Sequence, residues 1–291
     1  MGLTSVSLGH AYEPVLERVR KELLKGSNFS RPSIIEREMA EKFLSLVPQH
    51  DMIKFAKNGS VATTAAVKLS RAYTGRKLIA RPFDHPFYSY DDWFIGSTDC
   101  DFGVPSAIKD MTVTYKSDDL NSLQELFDKY PNQIACIISE PEKFNTVDEK
   151  HYKKAIDLAH KHGALWIMDE MITGFKTDYP GSIKKFNAEP DFATWGKGIA
   201  NGFSFCALTG KKEFMELGGI RDKGSKKVFL VSTTHGGETS AIGAALATMS
   251  VFEDNNVIEH NQSIGDYFIK GVNNLLSSNG VKDYFELTGF N

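Results

Sequence analysis

Cysteine is scarce in this sequence. Cys100, Cys136 and Cys206 are spread over 291 positions with no CxxC spacing, which argues against a disulfide framework or a thiolate zinc site and for a reducing compartment. A surplus of one charge is also missing: 34 Lys and Arg stand against 37 Asp and Glu, a net −3. No global basic field therefore draws the chain to nucleic acid or to an anionic membrane. No apolar run approaches the roughly 18–20 residues of a membrane span, and the start, MGLTSVSLGHAYEPV, lacks a basic segment followed by an apolar one. A cytoplasmic setting is the expectation. Repeats, low-complexity tracts, a Walker loop, a GxGxxG and an HExxH are all absent.

What is present is a chain long enough for one large domain or two smaller ones, at roughly 100–200 residues per domain. Its 41% hydrophobic and 24% charged residues are typical of a folded globular protein. Helical periodicity opens at Pro14 and again at Pro32-Ser33, the second pattern ending at Pro48. Short apolar runs follow at 52–56, 77–80, 134–139, 164–168, 192–195 and 203–210. Helical patterns occupy 61–73, 119–130, 148–162, 239–253 and 257–277. Such alternation predicts an α/β fold around a mostly parallel sheet. The closely spaced runs from 164 to 210 predict that part of the sheet is mixed, and the final YFELTGFN reads as a strand.

Four segments carry candidate chemistry. In WGKGIANG, Lys197 stands between Gly196 and Gly198 after a strand-like run. Most lysines are solvated surface charges, but flanking glycines let backbone approach a ligand, and a partly desolvated lysine can attack a carbonyl. ALWIMDEMITGF stops an apolar strand at Asp169 and Glu170, which are either exposed loop charges or groups aimed into the crevice at the sheet's carboxyl edge. Asn58-Gly59-Ser60 leads a strand into a helix, a seat for phosphate or an ordinary cap. DHPFYSYDDW adds Asp84, His85, Asp91 and Asp92 among aromatics, a set that is a solvated acidic loop, an aromatic cover for a planar ligand, or a metal site that no HExxH or paired-histidine spacing supports. His160 and His162 lie on the polar end of a helix and carry no functional weight.

In this order, SLGHAYEPV, FAKNGSVATTAAVKLSRAYTGR, IISEPE, the segment from WIMDEMITGF to TWGKGIANGF, and THGGETSAIGAALAT resemble the class III aminotransferases. These are fold-type I enzymes using pyridoxal 5'-phosphate (PLP), and within the class the likeness is to proteins similar to glutamate-1-semialdehyde 2,1-aminomutase. The resemblance implies a mostly parallel, seven-stranded large domain over residues 51–254, led by a helical segment over 1–50. An incomplete small domain would begin at 255–291. It makes Lys197 the Schiff-base lysine and proton carrier, and Asp169 the partner of the pyridine nitrogen. Gly59, Ser60 and Asn58 would form the phosphate turn, and Glu140 would line the substrate pocket. Thr234 would reach the phosphate of a neighbouring subunit, which implies a homodimer acting on a small amino donor and a carbonyl acceptor, with no metal.

Several positions depart from the family pattern. The turn is Asn58-Gly59-Ser60-Val61-Ala62 where Ser-Gly-Thr-Glu-Ala is common, and Glu238-Thr239 replaces the usual Asn-Pro. His85 or Phe87 of DHPF stands where the family stacks an aromatic on the cofactor ring. These changes point to a substrate other than glutamate semialdehyde, and the chain looks cut short at both ends. Two rival readings follow: a truncated homologue that binds PLP or dimerises without turnover, and a metal hydrolase built on Asp84, His85, Asp169 and Glu170.

Overall fold

A computed structural model of the chain describes residues 2–141, 149–219, 227–228 and 233–289. Two helices, α1 (Glu13–Leu23) and α2 (Ile34–Leu46), precede β1 (Met52–Ala56) and α3 (Gly59–Thr74). Next come β2 (Leu78–Pro82), the short α4 (Asp92–Ile95) and α5 (Ser106–Lys109), β3 (Thr112–Tyr115), α6 (Leu120–Lys129) and β4 (Ile134–Ser139). The chain continues through α7 (Glu149–Lys161), β5 (Leu165–Asp169), α8 (Ser182–Lys185), β6 (Phe192–Trp195) and β7 (Cys206–Gly210). It ends with α9 (Lys212–Met215), α10 (Thr239–Asp254) and α11 (Val257–Ser278).

Local chemistry accounts for the helix ends. Pro14 sits in the first turn of α1, where its missing N–H is not needed. Ser33 and Glu36 close a reciprocal capping box on α2. Asn58 caps α3 by accepting from Val61 N at 3.0 Å, and Gly75 ends it with a φ of +68° that a side chain would strain.

The strands form one sheet in the order β1-β7-β6-β5-β4-β2-β3. Strand β7 runs antiparallel to both β1 and β6, and the remaining pairs are parallel. The mixed region expected between 164 and 210 is therefore this one reversed strand, reached from β6 by a single 3₁₀ turn at Lys197–Ala200. One face of the sheet buries Ala62, Ala65, Ala66 and Leu69 of α3. The other buries Val15 and Val19 of α1, Phe43 of α2, Leu123 of α6, Ile156 of α7 and Ile242 of α10. Full cover on both faces explains why every residue of β4 and β5 is buried and why only their last residues, Ser139 and Asp169, are polar.

Two expectations need correction. Strand β3 escaped the periodicity reading because TVTY is a four-residue edge strand with only two buried positions. The predicted terminal strand does not form: residues 285–289 have no strand conformation, and Tyr284 and Phe285 are exposed. Instead Leu287 N donates to Asn273 Oδ1 and Asn273 Nδ2 to Leu287 O, at 2.9 Å each, because no neighbouring strand offers a ladder. Phe290 and Asn291 lie outside the described residues. Helix α11 buries none of its residues.

At the amino edge of the sheet a buried carboxylate ties three elements together. Asp191, 2% exposed, accepts from Trp166 N at 2.7 Å, His160 Nε2 at 2.8 Å and Lys211 Nζ at 3.2 Å. Burial pushes its pKa up, but the His160 hydrogen bond and charge, the Trp166 amide and Lys211 outweigh that and hold it below the ordinary value. A depressed folded pKa means that this stabilisation is complete above about pH 4, the unfolded value, and is lost as pH falls through the folded one. Asp191→Asn should therefore lower the unfolding free energy at neutral pH by about 1–3 kcal/mol and weaken its fall below about pH 4. Urea titrations from pH 3 to 7 measure both, and an unchanged acid limb would contradict the assignment.

Candidate active site

Five of the six strands that run one way release a candidate residue at the carboxyl end. Asn58 and Gly59 follow β1, His85 follows β2, Glu140 follows β4, Asp169 closes β5 and Lys197 follows β6. Six strands running one way bring these ends to a single edge, the crevice in which open α/β sheets place their ligands.

Asp169 is held most tightly. It is 2% exposed, and its Oδ1 accepts from Met171 N at 3.0 Å and from Thr194 Oγ1 at 2.9 Å. Thr194 is its register partner across β5 and β6, so the bond also sets the strand that leads to Lys197. Among the described residues no donor reaches Oδ2. Burial, with the nearby Glu140 charge, raises the carboxyl to about 7 against the opposing pull of the Met171 amide, Lys197 and Thr194. A cation set against Asp169 would restore its ionised form.

Lys197 takes a left-handed backbone, φ +49°, costly for a side-chain-bearing residue and typical of functional turns. The glycine before it is required by contact: a Cβ on Gly196 would lie 2.6 Å from Met171 Sδ and 2.7 Å from Cys206 Sγ. On Gly198 a Cβ would lie 2.9 Å from Ser7 Oγ and 3.4 Å from Lys176 Nζ. Lys176, whose pKa falls to about 8 through desolvation and the Lys197 charge, is thus a second lysine at the site that sequence reading passed over. Its place in TGFK, after the carboxylate strand, carries no spacing signal.

At the α3 start the side chains are already engaged. Asn58 Oδ1 caps Val61, and Ser60 Oγ accepts from Tyr90 N at 3.1 Å. What remains for a ligand is the pair of Gly59 and Ser60 amides, which lack intrahelical acceptors in the first turn of a 16-residue helix.

Around His85 the structure adds a residue the sequence did not single out. Tyr88, 2% exposed, places its hydroxyl 2.5 Å from His85 Nδ1 and 3.1 Å from Glu140 N, and Glu140 N also approaches Nδ1 at 3.3 Å. The amide can only donate, and its approach to Nδ1 as well as to the hydroxyl suits an unprotonated Nδ1 to which the hydroxyl proton can also turn. Nδ1 is then the acceptor, and the ring proton sits on Nε2. Buried Arg81 fastens the same loop through Ser97 Oγ, Ser97 O and Pro82 O. Phe87 is exposed at 54% and meets Phe94 edge-on.

The carboxylates of the metal-hydrolase reading diverge. Glu170 accepts from Ser182 N, Ile183 N and Thr173 Oγ1, fastening the loop before α8, and Asp84 holds Ser117. Among the described residues no three His, Cys, Asp or Glu are grouped to hold a metal. Thr234 is exposed in the turn before α10, next to Glu238, which pairs with Lys57 beside the α3 turn.

A buried acid at the end of β5, a glycine-flanked lysine after β6 and the start of α3 thus lie at one edge of the sheet. The profile of the family described as aminotransferase class-III matches residues 1–284, and the chain belongs to that family. It is 32% identical over 289 residues to a glutamate-1-semialdehyde 2,1-aminomutase of Thermosipho africanus, covering 94% of this chain and 67% of that protein. The Thermus thermophilus protein of the same name is 31% identical over 291 residues, with 94% and 66% covered. Among solved structures, the PLP internal aldimine form of the FumI protein of Sphingopyxis sp. MTA144 superposes with a TM-score of 0.84 at 25% identity, over 94% of this chain and 64% of that one. An omega-transaminase from Sphaerobacter thermophilus, at 24% identity and a TM-score of 0.86 over 99% and 68%, shares the fold. The fold is the large domain of the fold-type I PLP-dependent transferases, and the chain spans about two thirds of the length of these relatives.

If the Tyr88 hydroxyl bridges the β2 and β4 ends as described, Tyr88→Phe should cost about 1–3 kcal/mol by stranding buried polar groups. Chemical denaturation measures this, and parental stability would refute the bridge.

Proposed function

We infer that the chain is the cofactor-binding part of a PLP-dependent aminotransferase or 2,1-aminomutase, moving an amino group between an amino donor and a carbonyl acceptor. The observation that carries the reading is Asp169 at the end of β5, buried and tied through Thr194 to the strand that delivers Lys197. The family profile and the aminomutase relatives support it.

The residues present fit PLP. Asp169 Oδ2 is open for a ring N–H, the Gly59 and Ser60 amides are open for a phosphate, and Lys197 is the lysine held by the close-packed Gly196 turn. The cofactor supplies an electron sink for negative charge developing on substrate carbon. Asp169 would keep the ring nitrogen protonated, and the raised carboxyl of the protein alone marks how strongly that buried site favours a cation beside it. Lys197 Nζ would hold the cofactor and carry the proton during transfer. Asn58 would shape the phosphate turn through its cap, His85 would lie against the ring, and Glu140 would border the substrate. Residues 255–291 would begin a small domain.

Incubation with PLP should give a visible band, and borohydride should remove that band and leave a label on the Lys197 peptide. Lys197→Ala should lose both, and a label retained on another lysine would overturn the assignment. The turn holding Thr234 is exposed next to the Lys57–Glu238 pair, which suits a residue offered to a second copy. Sedimentation should then show a homodimer with shared sites. A strict monomer with full PLP affinity would exclude sharing.

A further inference from the structure

Behind the strand end that carries Glu140, on the α6 and α7 side of the sheet, lies a small cavity of about 10 Å³. Its walls include His85, Tyr115, Ser139, Glu140, Tyr152 and Trp166. Two of these bring polar atoms that, among the described residues, have no hydrogen-bond partner: Ser139 Oγ and Trp166 Nε1. Both residues are deeply buried, 4% and 1% exposed. The Ser139 hydroxyl approaches the Tyr115 phenol and, as a hydrogen-bonding group would, offsets part of the rise that burial imposes on that phenol, but the pair falls short of hydrogen-bond geometry.

The three tryptophans make the contrast plain. Trp93 Nε1 donates to Thr64 Oγ1 at 2.9 Å, and Trp195 Nε1 to Thr209 Oγ1 at 2.8 Å. Trp166 alone faces a void. A buried donor left unmade costs about 1–3 kcal/mol, and native structures seldom leave two such groups beside one cavity. The occupant must accept from an indole N–H, which excludes a metal cation. It must also sit against Glu140, a wall residue with a buried carboxylate oxygen, which disfavours an anion. The volume admits about one water molecule.

We propose that this cavity holds one tightly bound water, accepting from Trp166 Nε1 and hydrogen-bonded to Ser139 Oγ, as a fixed part of the wall behind Glu140. The water joins the side chains of β4 and β5 across two strands that their main chains also pair, and it gives the candidate substrate pocket a polar backing that the protein groups alone do not supply. The site does not depend on the cofactor.

A crystal structure of the full chain at about 1.8 Å or better, together with the thermal unfolding of Ser139→Ala, tests this. Density for one water within about 2.7–3.2 Å of both atoms is expected. Removing the hydroxyl should lower Tm by about 2–4 °C, since a water contact is lost. In a dry cavity the same substitution would relieve an unsatisfied hydroxyl and leave Tm unchanged or higher. That result, or the absence of density at this point in the parent protein, overturns the proposal.

Discussion

The Asp169 carboxylate, buried at the end of a central strand, is the constraint on which the rest of the site depends. A charge at that depth is tolerated only if donors meet it, and the two that do have other tasks. The Met171 amide turns the chain sharply away from β5. The Thr194 hydroxyl belongs to β6, three residues before Lys197. One hydrogen bond thus aligns the two strands whose ends must face each other across the crevice. Glu170 strengthens the arrangement from the opposite side, since its amide donates to Thr194 O at 2.8 Å while its carboxylate fastens residues 182–183.

Crowding keeps the lysine where that alignment delivers it. Met171 and Cys206 leave no room for a side chain at Gly196, and Met171 also comes within 3.1 Å of a Cβ built on Gly59. The same methionine therefore packs against both the Lys197 turn and the Gly59 turn that opens α3. Asn201, just past Lys197, takes Leu8 N at 2.9 Å and donates to Gly9 O at 3.0 Å, which binds the first residues of the chain over this loop. On the far side of the crevice, Arg81 and Tyr88 perform the corresponding service for the loop that carries His85. The crevice is rigid by hydrogen bonds on one wall and by packing on the other.

Much of this was legible before any coordinates. Elements as long as α3, α10 and β4 declare themselves by period and composition, and their bounds fall within two residues of those read from the pattern. A lysine between glycines after an apolar run, and an acid ending another, are local signals, as is the cap at Asn58. Strand β3 was not legible, because four edge residues carry too little periodicity, and the YFELTGFN run misled, because strand propensity forms no strand without a partner.

The sequence by itself determined the class of fold and the order of its longer elements, and it singled out Lys197, Asp169 and the Gly59 turn as candidates, because these follow from local pattern and from motifs a few residues long. Only the tertiary structure decided which groups meet. That Thr194 supports Asp169, that Tyr88 joins His85 to Glu140, that Lys176 lies beside the Lys197 turn, and that Trp166 and Ser139 open onto one cavity all depend on strand order and register. Those contacts span 21 to 55 positions of sequence, a separation over which hydrophobic period carries no information and only the packed sheet brings side chains together.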